Sequence, residues 1–295
     1  MGWGEFFALA SPMGWALAVI MFRRSGETMP AFELNLSKNV LALVLMVPTV
    51  LLLDGWSGPV FSHFDWAIML VSGVLGMAVG DTLYFRALQL LGASRTGVVG
   101  SLLSPFVILL SALLLGERLV PLQWAGFAMV MAGILFVTWR RERAEISNRD
   151  LRLGALLGAA AMFSMALGVV MVKPLLEIHP FSWVVSVRLL GGLGGMLVVT
   201  TLRGRWGVLL TTYRRPHPWA VTMTGCFLGG YLAMMLWLAG YRLIPASQAS
   251  IYNEAQGSFI VLFAWLFLGE SMQARKLAGL ALTLAGVLTM LLSRS

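Results

Sequence analysis

Ten runs of apolar residues, each long enough to cross a bilayer as a helix, limit what this chain can fold into. They fall at about 4–22, 31–53, 66–88, 94–115, 121–139, 151–172, 181–202, 218–241, 246–268 and 274–293. An α-helix rising 1.5 Å per residue needs roughly 20 residues to cross the hydrocarbon core, and each run has about that many. Backbone amides and carbonyls find no water there, so each run must satisfy its own as a helix. Only 12% of the residues are charged, about half the share of a soluble domain, and mean hydropathy is +0.84. The expectation is an all-α polytopic membrane protein with ten transmembrane helices. Pro and Gly clusters punctuate the runs, among them Pro30, Gly55–Pro59, Pro121, Pro180, Pro218 and Pro245. Eight of the eleven Trp lie near run ends, as an interfacial belt requires, whereas Trp15, Trp237 and Trp265 do not.

Other classes find little support. The net charge of +8 resides in short loops, with no basic face interleaved with aromatics, which argues against a nucleic-acid partner. His63, His179 and His217 are single residues in three loops, without metal-ligand spacing, and no Walker-type loop is present. No cofactor or metal is expected, and the chain reads as a non-enzyme. The lone Cys226 excludes an intrachain disulfide. The N-terminus lacks a basic leader region, so the first run reads as a retained helix.

The halves repeat. Ala16-Leu-Ala-Val-Ile-Met-Phe-Arg23 aligns with Ala166-Leu-Gly-Val-Val-Met-Val-Lys173 at an offset of 150, which also pairs Pro30 with Pro180 and Lys38 with Arg188. Farther on the offset is 153. There Ala93-Ser94 meets Ala246-Ser247, Leu115-Gly-Glu117 meets Leu268-Gly-Glu270, and Gly126 and Gly133 meet Gly279 and Gly286. The expected domains are a five-helix repeat at 1–139, a basic linker at 140–150 and a second repeat at 151–295. An odd number of helices per half inverts the second half in the membrane, the architecture of secondary transporters with a site at the repeat interface. Gly73, Gly76 and Gly80, Gly225, Gly229 and Gly230, and the Gly191–Gly195 cluster read as close helix contacts.

In each half Ala-Ser opens the fourth helix, Leu-Gly-Glu closes it, and Gly-x6-Gly runs along the fifth. With these residues the chain resembles the drug/metabolite transporter superfamily, in particular its ten-helix EamA-domain group. Gly80-Asp81-Thr-Leu-Tyr84-Phe-Arg86-Ala-Leu88 is similar to one subset of that group. The resemblance implies alternating access by two inverted halves, with helices 1–4 and 6–9 around a central cavity and helices 5 and 10 peripheral.

The polar stretch Ile251-Tyr252-Asn253-Glu254-Ala255-Gln256-Gly257-Ser258 interrupts the ninth run. In hydrocarbon such groups are costly unless they face partners or a water-filled path, so the stretch reads as pathway lining rather than packing. Intramembrane charges are few: Lys38, Asp81, Arg188 and Glu254. Counting residues from the helix ends puts Lys38 and Asp81 roughly 10–12 Å inside one face, and Arg188 and Glu254 at matching depth from the other. Each cation is expected to approach its acid in at least one conformation. Glu254 is the expected coupling and recognition residue, with Asn253 and Gln256 orienting it. Tyr252, Ser101, Trp15, Tyr84 and Trp237 complete the expected substrate-binding set, while Glu117 and Glu270 are expected at the interface.

The functional expectation is a secondary active exporter of a small polar metabolite such as an amino acid, coupled to protons. A channel or lipid flippase on the same fold, or a membrane-embedded enzyme, stays open as an alternative. Partners are the substrate, protons and membrane lipids, with the chain a monomer or weak homo-oligomer. For orientation, 15 basic residues, including Arg23, Arg24, Arg86, Arg95 and five arginines from Arg140 to Arg152, fall on one side. Only Arg118, Lys173, Arg242 and Arg294 fall on the other. The positive-inside rule then puts the linker in the cytoplasm and both termini outside, in a bacterial inner membrane.

Overall fold

The computed structural model describes residues 2–55, 58–138, 147–259, 262–263 and 274–293, with backbone alone at 93, 94, 137, 138 and 276. Among these residues the chain is helical and without strands. The helices are α1 (Trp3–Ser25), α2 (Ala31–Leu53), α3 (His63–Leu91), α4 (Ala93–Gly100), α5 (Leu103–Leu114) and α6 (Pro121–Thr138) in the first half. The second half has α7 (Asn148–Ile178), α8 (Phe181–Leu202), α9 (Trp206–Arg214), α10 (Trp219–Leu243), α11 (Ala246–Asn253) and α12 (Ala274–Leu292). Seven helical segments of the described residues are long and apolar enough to span a membrane, with shorter apolar helices at Pro121–Phe136 and Leu277–Leu292. Of the expected linker at 140–150, residues 140–146 lie outside the described residues, as do Trp265 and the Leu268-Gly-Glu270 motif, while 148–150 already belong to α7. Large apolar side chains such as Val44, Leu113 and Leu284, each more than half exposed, face outward. In water they would be a liability; lipid solvates them at no cost.

Local chemistry sets the boundaries. Pro30, Pro180, Pro218 and Pro245 stand immediately before α2, α8, α10 and α11, where a residue without an N–H forfeits nothing. Ser62 and Asp65 cap α3 reciprocally, each amide donating to the other's side chain at 3.1 Å. Gly92 turns the chain from α3 into α4 at φ +79°, a conformation that disfavours any side chain.

Two helix starts are capped by carboxylates from distant elements. Asp54, past the end of α2, accepts from the Ser182 amide at 3.0 Å at the start of α8. Glu117 accepts from the amides of Ala246 and Ser247 at 2.8 and 2.9 Å, and from the Ser247 hydroxyl at 2.7 Å. Glu117 is therefore a cap between two helix ends. It joins the Leu-Gly-Glu motif of the first half to the Ala-Ser motif of the second, a charge placed against a helix N-terminus.

The small residues sit at crossings. A Cβ on Gly133 would lie 2.3 Å from Thr283 Oγ1, and one on Gly286 would lie 2.7 Å from the Gly126 carbonyl. Only glycine lets α6 and α12 approach so closely. The Gly191–Gly195 cluster lies within α8, where a Cβ on Gly191 would meet the Leu70 carbonyl of α3 at 2.4 Å.

The halves share irregularities as well as motifs. α3 widens into a π-turn at Val74–Gly80, and α10 does so at Cys226–Ala233. The fourth helix breaks at Ser101-Leu102, between α4 and α5, and the chain after α11 turns at Glu254-Ala255. In place of an unbroken helix over the ninth run, the Glu254 and Ala255 amides reach back three residues, to the Ile251 and Tyr252 carbonyls at 3.2 Å. These breaks lie 153 residues apart, at Ser101 and Glu254. Non-helical backbone at such depth is tolerated where it is buried in protein or lines a cavity.

Candidate functional site

The irregular segments converge on a cavity of about 140 Å³. At roughly 10–15 Å³ per water on this scale, it holds on the order of ten waters or one small solute. α1 contributes Ser11, Pro12 and Trp15, α2 Lys38, and α3 Gly76, Met77, Asp81 and Tyr84. Ser101 and Leu103 come from the first broken helix, Met162 and Met165 from α7, and Arg188 from α8. α10 adds Gly229, Ala233, Met234 and Trp237, and the second broken helix adds Asn253, Glu254, Gln256 and Gly257. Both halves thus build the wall. Helix 5, expected to be peripheral, also reaches it through Ile134 of α6.

Of the residues expected from sequence, Lys38, Asp81, Tyr84, Trp15, Ser101, Arg188, Trp237, Asn253, Glu254 and Gln256 face this one cavity. Tyr252 does not line it. It is fully buried, and its hydroxyl is without a hydrogen-bond partner among the described residues. Tyr252 and Gln256 would share a face of a continuous helix, but the turn at Glu254-Ala255 breaks that register.

On one wall Lys38 and Asp81, 4% and 8% exposed, form an ion pair between α2 and α3. Room for the lysine stem comes from Gly230 on α10, where a Cβ would lie 2.5 Å from Lys38 Cγ. The π-turns are held by polar side chains. Asn35 donates to the Met77 carbonyl at 2.7 Å, Ser164 to that of Leu75 at 2.7 Å, and Ser11 to that of Ala233 at 2.9 Å. This places Asp81, directly after the first π-turn, against Lys38.

On another wall Glu254 is met by α5. Its Oε1 accepts from the Ser104 hydroxyl at 2.7 Å and the Ser104 amide at 3.3 Å, while that hydroxyl also lies 2.8 Å from the Ser250 carbonyl. Ser104 stands in the first turn of α5, next to Pro105, so the carboxylate sits where free amides and the helix dipole favour negative charge. Ser104 belongs to the fourth run, the first-half counterpart of the run that carries Glu254. No pattern within one half reveals that it binds an acid from the other.

The expected Arg188–Glu254 contact is absent in this conformation: among the described residues Glu254 forms no ion pair. Arg188 lines the cavity without an ion pair among the described residues, with Nε and Nη1 buried and unpartnered. No group of three or more metal-ligating side chains occurs among the described residues.

Comparison with known proteins places these features in a family. The sequence model of the EamA-like transporter family matches residues 2–139 and again 152–292, once per half. An uncharacterised transporter of Archaeoglobus fulgidus is 25% identical over 285 residues, covering 97% of this chain and 96% of that protein. A UDP-N-acetylglucosamine transporter of Mus musculus is 28% identical over 132 residues, 42% of this chain and 40% of that protein. A solved crystal structure superposes with a TM-score of 0.77 over 98% of this chain and 96% of its own, at 19% identity, a likeness of fold.

Proposed function

The chain belongs to the EamA-like transporter family, and from that membership we propose a secondary active exporter of a small polar metabolite such as an amino acid. It is an integral membrane transporter; the proposal concerns substrate, coupling and direction. Two inverted five-helix halves alternate the cavity between the two sides of a bacterial inner membrane, with the linker cytoplasmic. Glu254 holds in turn a proton and the cationic end of the substrate, and Asn253 and Gln256 beside it orient the bound molecule.

The observation that carries this reading is the state of Glu254. It is buried at the cavity, yet its partners are the neutral hydroxyl and amide of Ser104. A carboxyl group so placed keeps its neutralising partner open, and that partner can be a proton or a substrate ammonium. A sugar-nucleotide cargo like that of the mouse relative finds less support. Lys38 is occupied by Asp81, which leaves no basic cluster on the described wall to hold a diphosphate.

Proteoliposomes loaded with single amino acids and given a proton gradient test the proposal. Saturable transport that stops when the gradient is collapsed is expected. A flux linear in concentration and indifferent to the gradient would identify a channel instead. Cysteines placed at Ser147 and Ser293 test the orientation: only the latter should react with an impermeant label in intact cells.

A further inference from the structure

We infer that Arg188 is the anion subsite of this cavity and that it takes the carboxylate of the transported molecule. The inference rests on the carrier reading above and adds a second recognition point to it.

Arg188 is 1% exposed, among the largest fully buried side chains of the protein, and it lines the cavity. Its Nε and Nη1 are buried without a hydrogen-bond partner. The surrounding structure holds the side chain in place without neutralising it. α3 packs so tightly on α8 that a Cβ at Gly73 would lie 1.9 Å from the Arg188 carbonyl oxygen. One turn on, a Cβ at Gly76 would stand 3.4 Å from Nη2, so the glycines of α3 shape a slot for the guanidinium. Of the two acids on the cavity wall, Asp81 is already in an ion pair with Lys38. An arginine cannot shed its proton to escape such a site, so a buried guanidinium with unmade bonds is costly. It is retained where a ligand completes it.

The occupant follows from the charges on the wall. Lys38 and Asp81 neutralise each other, which leaves one cation, Arg188, and one acid, Glu254, unpaired among the described residues. They come from different helices and do not pair with each other. A single guanidinium matches a planar monoanion, which it can bind through two parallel hydrogen bonds. A phosphate monoester carries close to two charges and would leave one of them uncompensated. A molecule with one carboxylate and one ammonium satisfies both walls at once.

The test is thermal melting of the purified full chain against the twenty standard amino acids, since a ligand that binds only the folded state raises apparent stability. The amino acid giving the largest shift is then compared with its carboxamide, with its deamino acid and with inorganic phosphate. The expected result is a half-saturating concentration at least tenfold higher for the carboxamide than for the acid. Arg188→Met should melt at or above the wild-type temperature and lose that tenfold preference. Arg188→Lys should fold and bind the acid at an intermediate level. The assignment is overturned if acid and carboxamide bind alike, if Arg188→Met keeps the preference, if no amino acid shifts the wild-type chain, or if phosphate shifts it and carboxylates do not. Should neither variant yield folded protein, the acid–carboxamide comparison on the wild type decides. Binding that favours the carboxamide and depends on Glu254 would remove this subsite and leave the carrier reading standing. Carboxylate-selective binding without gradient-driven transport would do the reverse.

Discussion

Asp81 and Glu254 are each 8% exposed, and each lines the same cavity from an irregular stretch of helix. Asp81 is met by the Lys38 ammonium, whereas Glu254 is met by the hydroxyl and amide of one serine. The first arrangement is complete: both charges are neutralised within the protein, and a substrate would have to break a buried pair to use either. The second is incomplete. Neutral donors hold the carboxyl in position without a counter-charge, which on the proposed reading lets a proton or a cationic ligand bind and leave. Burial alone therefore does not mark a transport site; on that reading, burial without a fixed counter-charge does.

This contrast predicts opposite responses to the loss of one charge. Asp81→Leu strands Lys38 in the protein interior and should cost about 3–5 kcal/mol of stability. Adding Lys38→Met to it should restore a large part of that, read as recovery of the melting temperature. A double variant no better than the single would show that the pair is not the unit the geometry describes. Glu117 sharpens the comparison with a third acid, one used only as a cap. Glu117→Gln weakens three hydrogen bonds to the start of α11. It should cost about 2 kcal/mol, the range for bonds to a charged acceptor. Unchanged melting would mean that the motif contributes little to joining the halves. Smallest on this scale is Ser104→Ala, which should cost about 1 kcal/mol, since Glu254 keeps the backbone amide and can draw on cavity water. A loss as large as that of Asp81→Leu would show that Glu254 is as tightly integrated as Asp81, and the contrast would fail.

Much of this was legible in the sequence, for physical reasons that also set the limits. Spanning length and the repeat are one-dimensional properties, so the helical bundle and its matched halves could be read directly. Counting residues along a helix gives depth, which brought Lys38 and Asp81 together correctly. Depth says nothing about direction around the helix axis. Arg188 and Glu254 match in depth by residue count, yet the two do not pair, and Glu254 finds Ser104 instead. The π-turns at Val74–Gly80 and Cys226–Ala233 rotate the residues that follow them, and no apolar pattern announces them. The break at Glu254-Ala255 likewise takes Gln256 out of helical register with Tyr252, which is buried off the cavity. The capping role of Glu117 escaped the sequence because it depends on an N-terminus 129 residues away in sequence.

The central claim is that Glu254 is available to exchange its neutralising partner, and the most direct measurement is concentrative transport by Glu254→Gln in proteoliposomes. The amide preserves shape and keeps its carbonyl oxygen as an acceptor for Ser104, so the variant should fold and reach the membrane, with stability within about 1 kcal/mol of the parent. Substrate accumulation driven by a proton gradient should be lost. Accumulation equal to that of the parent, with the same dependence on pH, would contradict the account and reduce Glu254 to a packing residue.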